Sequence, residues 1–96
     1  MQKIELMRKA IQLSIENVAN GGGPFGAVIA DKKGNIVSTG INQVTSSCDP
    51  TAHAEMNAIR QLATLEKKPD GLVLYTTGEP CPMCMSAIMY AGIGEV

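Results

Sequence analysis

Apolar residues recur at Ile4, Met7, Ile11, Ile15 and Val18, every three or four positions, and predict an opening α-helix with one apolar stripe. Asn20-Gly21-Gly22-Gly23-Pro24 ends it, because successive glycines and a proline cannot continue a helix. A phosphate cradle would need a strand before the glycines and a helix after them, and the order here is reversed. Phe25 to Ala30 is a nearly continuous apolar run and predicts a strand; Ile36 to Ile41 predicts a second. The polar turn between them, Asp31-Lys32-Lys33-Gly34-Asn35, is short enough to make an antiparallel hairpin. Asn42 to Cys48 is a polar loop, and Asp49-Pro50 then opens a second helix, Asp as N-cap and Pro at the first helical position. Met56, Ile59, Leu62 and Ala63 supply its core face, and it fades before Pro69. Leu72 to Thr76 predicts a short buried strand, reached through a helix and a loop, which permits a crossover and a parallel neighbour. Glu79-Pro80 opens a third helix that runs through Ala87, Ile88 and Tyr90 to Gly92, and Ile93-Gly94-Glu95-Val96 reads as the entrance to another strand. The predicted order is α-β-β-α-β-α, with no internal repeat, linker or low-complexity segment.

A chain of 96 residues makes one domain, 1–96. A domain of that size buries only about two thirds of its unfolded surface, so metal binding or association would help to stabilise it. Hydrophobic content of 45% against 18% charged residues describes a globular chain and excludes a disordered one. A net charge of -1 favours a small uncharged ligand over a phosphate backbone, although it leaves a local basic patch open. No apolar run approaches the roughly 20 residues that cross a bilayer, and the charged N-terminal segment lacks a secretory core, so a cytoplasmic protein is expected. Its three cysteines are then reduced thiols, available to a metal.

Two short motifs carry the chemistry: His53-Ala54-Glu55 and Pro80-Cys81-Pro82-Met83-Cys84. Cys81 and Cys84 are three apart at a helix start, so both side chains can point one way, and free N–H groups there favour thiolate. Two thiolates and the chain's one histidine, His53, make three ligands for Zn2+ and leave the fourth position to solvent, the pattern of a catalytic site. Glu55 is the natural proton carrier beside it. Two helical residues two apart lie about 200° around the axis, so His53 and Glu55 can share a site only if the end of the helix meets the metal. The competing arrangement is a structural zinc module, in which Cys48, five residues before His53, closes a Cys3His site. Met83, Met85 and Met89 read as core filler, Lys32-Lys33 and Lys67-Lys68 as solvated charges, and Ser46-Ser47 has no nucleophile context.

The order H-x-E…P-C-x-x-C is the signature of zinc deaminases that act on cytosine or adenine rings. On it, and on Gly22-Gly23-Pro24-Phe25-Gly26-Ala27-Val28 and Asp49-Pro50-Thr51-Ala52-His53-Ala54-Glu55, the chain resembles the cytidine deaminase-like superfamily, and within it the small bacterial guanine deaminases. The resemblance implies a three-layer α/β/α fold with a mixed sheet, here truncated at its C-terminus. It implies zinc on His53, Cys81 and Cys84, Glu55 as proton shuttle, Asn42 hydrogen-bonded to the base, Phe25 packed in the pocket near His53, and backbone groups around Ala54 holding substrate. Residue chemistry alone leaves Phe25 equally a core strand residue and Asn42 equally a turn residue. The activity implied is hydrolysis of a nucleobase amine, guanine to xanthine with release of ammonia. Transfer-RNA adenosine deaminase and cytosine deaminase are the alternatives, and a non-catalytic zinc-binding fragment is the third. In such guanine deaminases a C-terminal segment is exchanged between two subunits and helps to line the partner's pocket; those residues are not in this sequence, and what the resemblance implies here is a homodimer.

Overall fold

Gly26-Ala27-Val28-Ile29-Ala30 is buried at every position, and this explains the unbroken apolar run: the strand has covers on both faces. The structure, a computed structural model, describes residues 3–23, 25–44, 51–64, 71–78 and 81–93, the side chain of Tyr90 excepted. Its elements are α1 (Lys3–Ala19), β1 (Gly26–Ala30), β2 (Ile36–Ile41), α2 (Ala54–Leu62), β3 (Val73–Thr76) and α3 (Pro82–Ala91). The strands lie in the order β2-β1-β3. Ala27 and Ile29 face a core made with Ala54, Ala58 and Leu62 of α2, Leu74, and Ile88 of α3. Val28 and Ala30, pointing the other way, pack on Leu6 and Ala10 of α1. The result is three layers, α1 on one face and α2 with α3 on the other. Leu6, Ile29, Leu62 and Leu74 are all but fully buried, and each contributes about 1.5–3 kcal/mol by leaving water.

The hairpin forms as expected, with Gly26 opposite Ile41 and Val28 opposite Thr39. Its turn is held by Asp31, whose Oδ1 accepts from the backbone N–H groups of Lys33 and Asn35, both at 2.9 Å, and by Gly34 at φ 87°. The partner of β3 differs from the expectation of a parallel neighbour and a mixed sheet. β3 pairs with β1, antiparallel, Ala27 opposite Thr76 and Ala30 opposite Val73. The crossover through α2 does leave β2 and β3 running the same way, but β1 lies between them, and no parallel pair forms among the described strands.

The predicted face of α1 needs correction, and that of α2 in part, for one physical reason. On α1 the expected stripe is largely on the outside: Ile4, Ile11, Ile15 and Val18 are 67%, 45%, 65% and 51% exposed. The buried residues are Leu6, Ala10, Ser14 and Asn17. On α2 Leu62 is buried as expected and half-buried Ile59 packs against the core, but the other buried residues are Ala54, Glu55 and Ala58, while Met56 is half-buried and Ala63 is exposed. The faces that pack are those with small residues, because glycines bring the sheet close. A Cβ on Gly26 would overlap the Ala10 carbonyl, and one on Gly40 would overlap the Ala54 carbonyl and the Ala58 nitrogen. A helix presenting isoleucines at those points could not approach so far.

Helix starts also lie later than expected. Thr51, Ala52 and His53 are not helical, and α2 begins at Ala54; Asp49 and Pro50 lie outside the described residues. Likewise α3 begins at Pro82 with Cys81 as N-cap, and Glu79 and Pro80 lie outside. Gly92, left-handed at φ 77°, ends α3, and Ile93 turns back into the core; the strand expected from there falls on residues 94–96, outside the described residues. No described helix is long and apolar enough to cross a membrane.

Candidate functional site

Two helix N-termini converge on one point. His53 is the N-cap of α2, with φ -69° and ψ 157°, and Cys81 is the N-cap of α3, with φ -70° and ψ 169°. Cys84 follows on the first turn of α3. His53 Nδ1 lies 3.6 Å from Cys81 Sγ and 3.6 Å from Cys84 Sγ, and the three donor atoms all lie within 4.8 Å of one another. A tetrahedral zinc ion, with Zn–S about 2.3 Å and Zn–N about 2.0–2.1 Å, requires sulfur and nitrogen about 3.6 Å apart. The donor set therefore fits the ion in type and in spacing. The loop carrying His53 is tied down by its own helix: Asn57 Nδ2 donates to the carbonyls of Ile41, at 2.8 Å, and Ala52, at 3.3 Å. Arg60 Nη2 donates to Thr51 Oγ1 at 2.8 Å.

The two thiols differ. The start of α3 holds Cys81 below the usual thiol value, first through the backbone N–H of Cys84, although that contact is too loose to count as a side-chain cap. Burial pushes the Cys84 thiol up to about 12, with the Cys81 sulfur and the Glu55 charge acting in the same direction. The helix start thus favours thiolate at Cys81 as expected, while at Cys84 desolvation wins. A metal must displace that proton, so zinc affinity is expected to rise with pH between pH 6 and 8, about tenfold per unit for each proton released. Titration against a competing chelator measures it, and a flat profile would contradict the thiol assignment.

Glu55, at the second position of α2, is 7% exposed, and its charge is felt at both sulfurs. The difficulty of two helical residues two apart does not arise, because the His53 backbone is extended. Phe25, Asn42, His53, Glu55, Gly78 and Cys81 line one cleft of about 210 Å³. Phe25 precedes β1 and is 43% exposed, so the cleft, and not the core, is its surrounding. Ala54 does not line the cleft. Its side chain belongs to the core and its carbonyl faces Gly40, so a substrate contact from this position falls to backbone alone. Gly78 is a cleft residue that the motifs do not point to. A Cβ there would meet the Phe25 ring at 3.4 Å, and its only signal is a glycine between a strand and the Pro-Cys motif. Cys48, the candidate fourth ligand, lies outside the described residues. Among the described residues, His53, Cys81 and Cys84 are the one group able to hold a metal ion.

The family model of the cytidine and deoxycytidylate deaminase zinc-binding region matches residues 1–96. The chain is 50% identical over 88 residues to the guanine deaminase of Bacillus subtilis, covering 88% of this chain and 56% of that protein. The crystal structure of a Bacillus subtilis guanine deaminase superposes with a TM-score of 0.88 at 44% identity, over 100% of this chain and 62% of that one. The chain is also 41% identical to the tRNA-specific adenosine deaminase of Haemophilus influenzae, over 93% of this chain and 53% of that protein. To a probable cytosine deaminase of Schizosaccharomyces pombe it is 36% identical, over 91% and 53%. It spans little more than half the length of these relatives.

Proposed function

Because the chain belongs to the cytidine and deoxycytidylate deaminase zinc-binding family, we propose that it carries the catalytic site of a zinc-dependent aminohydrolase, with guanine as the base converted to xanthine and ammonia. The observation that carries this reading is the buried Glu55 carboxylate in one cleft with His53 and Cys81. A structural zinc site has no use for a carboxylate buried next to its ligands.

His53, Cys81 and Cys84 would hold the metal, which supplies Lewis acidity and makes solvent nucleophilic at neutral pH. Glu55 does the proton work: its carboxylate accepts a proton from the attacking water and passes it to the ring nitrogen beside the amino-bearing carbon, then accepts the remaining proton from the hydroxyl so added and delivers it to the departing amine, leaving a carbonyl and ammonia. Asn42 both donates and accepts, as the edge of a purine requires. Phe25 offers a ring face to the base. The cleft volume of about 210 Å³, small against the roughly 300–1,000 Å³ of drug-sized sites, suits a single base.

The higher identity to a guanine deaminase supports guanine over the alternatives; the tRNA adenosine and cytosine deaminases among the relatives make those bases the second reading. Ammonia release from the zinc-loaded chain, assayed in parallel on guanine, cytosine, adenine and an adenosine-containing RNA hairpin, decides between them. Guanine is expected to react fastest. Turnover of cytosine or of the hairpin alone would remove guanine, and no release from any would favour the non-catalytic reading. The apolar residues left uncovered on α1 support the homodimer that the resemblance implies; sedimentation as a monomer at micromolar concentration would contradict it.

A further inference from the structure

Asn17 lies in the last turn of α1 and is 7% exposed. Its Nδ2 donates to the carbonyl of Gly23 at 2.9 Å and to the carbonyl of Asn42 at 2.8 Å. The Gly23 carbonyl also accepts from the N–H of Phe25 at 2.9 Å, and the Phe25 carbonyl accepts from the N–H of Asn42 at 3.3 Å. These four bonds close a ring through Asn17, Gly23, Phe25 and Asn42. Two members of the ring, Phe25 and Asn42, line the cleft. The glycines make room for it: a Cβ on Gly22 would overlap the Asn17 amide, and one on Gly23 would meet Asn42 Oδ1 at 3.1 Å.

We infer that Asn17 is a positioning residue for recognition of the base: it fixes the backbone from which Asn42 and Phe25 reach into the cleft, and takes no part in holding the metal or moving protons. The inference rests on the proposed roles of Asn42 and Phe25. Its physical basis is that both donors of the ring's corner come from one amide. Alanine removes them together. Aspartate keeps the shape but turns a carboxylate toward two carbonyl oxygens. Asn57, by contrast, holds the carbonyl of Ala52, beside His53, as well as that of Ile41, so its loss would disturb recognition and metal loop at once. Asn17 separates the two.

The test compares wild type, Asn17→Ala and Asn17→Asp as full zinc-loaded chains. It reads KM and kcat for guanine, zinc stoichiometry, thermal stability, and the side-chain amide resonances of Asn42. For either variant KM is expected to rise about tenfold, with kcat within about twofold of wild type, the scale of one misplaced oriented contact. Zinc stoichiometry is expected to stay the same, and the Asn42 amide pair to move from its wild-type position. Aspartate gives the same comparison if the alanine variant does not fold. An unchanged KM with lowered thermal stability would make Asn17 merely structural and overturn the inference, as would unmoved Asn42 resonances. If the wild type turns over no base, it is the proposed function that fails, and the Asn42 resonances then decide the positioning role by themselves.

Discussion

Glutamine at Glu55 is expected to leave one zinc per chain and to slow deamination by about a thousandfold, within the range of 10²–10⁴ typical of a general acid–base group. That is about 4 kcal/mol of transition-state stabilisation. The size of the effect follows from how much one carboxylate is asked to do. It must take two protons in turn from the attacking oxygen and return them at two places on the base, and the described cleft holds no second carboxylate to share the task. Glutamine has the same shape and cannot cycle a proton. Little else should change, because Glu55 is not one of the three clustered donors. Its place at the second position of α2, where a negative charge gains from the helix dipole, is worth only about 0.3–1 kcal/mol. Zinc stoichiometry, thermal stability and ammonia release measured on one preparation separate these terms. A variant that keeps its zinc and still releases ammonia at the wild-type rate would remove Glu55 from the chemistry.

The second large effect is expected at Cys84. Cys84→Ala should abolish stoichiometric zinc binding at micromolar metal, because two of three donors cannot replace the set. Wild type should gain thermal stability on zinc loading, and the variant should not. At free zinc a thousandfold above the dissociation constant, the gain is about 4 kcal/mol. The difference between loaded and metal-free protein is the relevant quantity, since truncating a fully buried side chain lowers stability in both states. Cys48→Ser is the companion variant. If three ligands suffice it should bind zinc as tightly as wild type, whereas a closed Cys3His centre would lose affinity at this position too. Zinc content after dialysis and paired melting curves give both answers.

The sequence made the elements legible, with their boundaries less so. β1 and β2 are plain because apolar runs flank a turn with Asp31 and Gly34 in the positions a turn needs. The helix starts were misplaced because Asp49-Pro50 and Glu79-Pro80 look like caps, while the residues that occupy the N-cap positions are His53 and Cys81. Those residues lack the side-chain caps that mark a helix start in sequence, and they are two of the three clustered side chains that could hold a metal ion. Periodicity finds α1 but points to the wrong face, since two stripes with the same spacing run side by side and only packing on β1, at Gly26, Val28 and Ala30, selects between them. The pairing of β3 with β1 is a long-range choice that no local signal records.

At the candidate site the motifs carried more. His-x-Glu and Cys-x-x-Cys name the donors and the carboxylate, and the fold brings them together through two helix ends. Gly78 went unseen because a glycine that matters for the ring lying over it leaves no chemical mark. Asn17 went unseen because its partners are backbone carbonyls, one of them 25 residues away.

Zinc K-edge X-ray absorption on the metal-loaded chain tests most directly whether three side chains hold one ion and leave a place for solvent. The expected spectrum contains two sulfurs at about 2.3 Å, one imidazole nitrogen at about 2.0–2.1 Å, and one further light atom. A third sulfur in the shell, or a shell without imidazole, would contradict it.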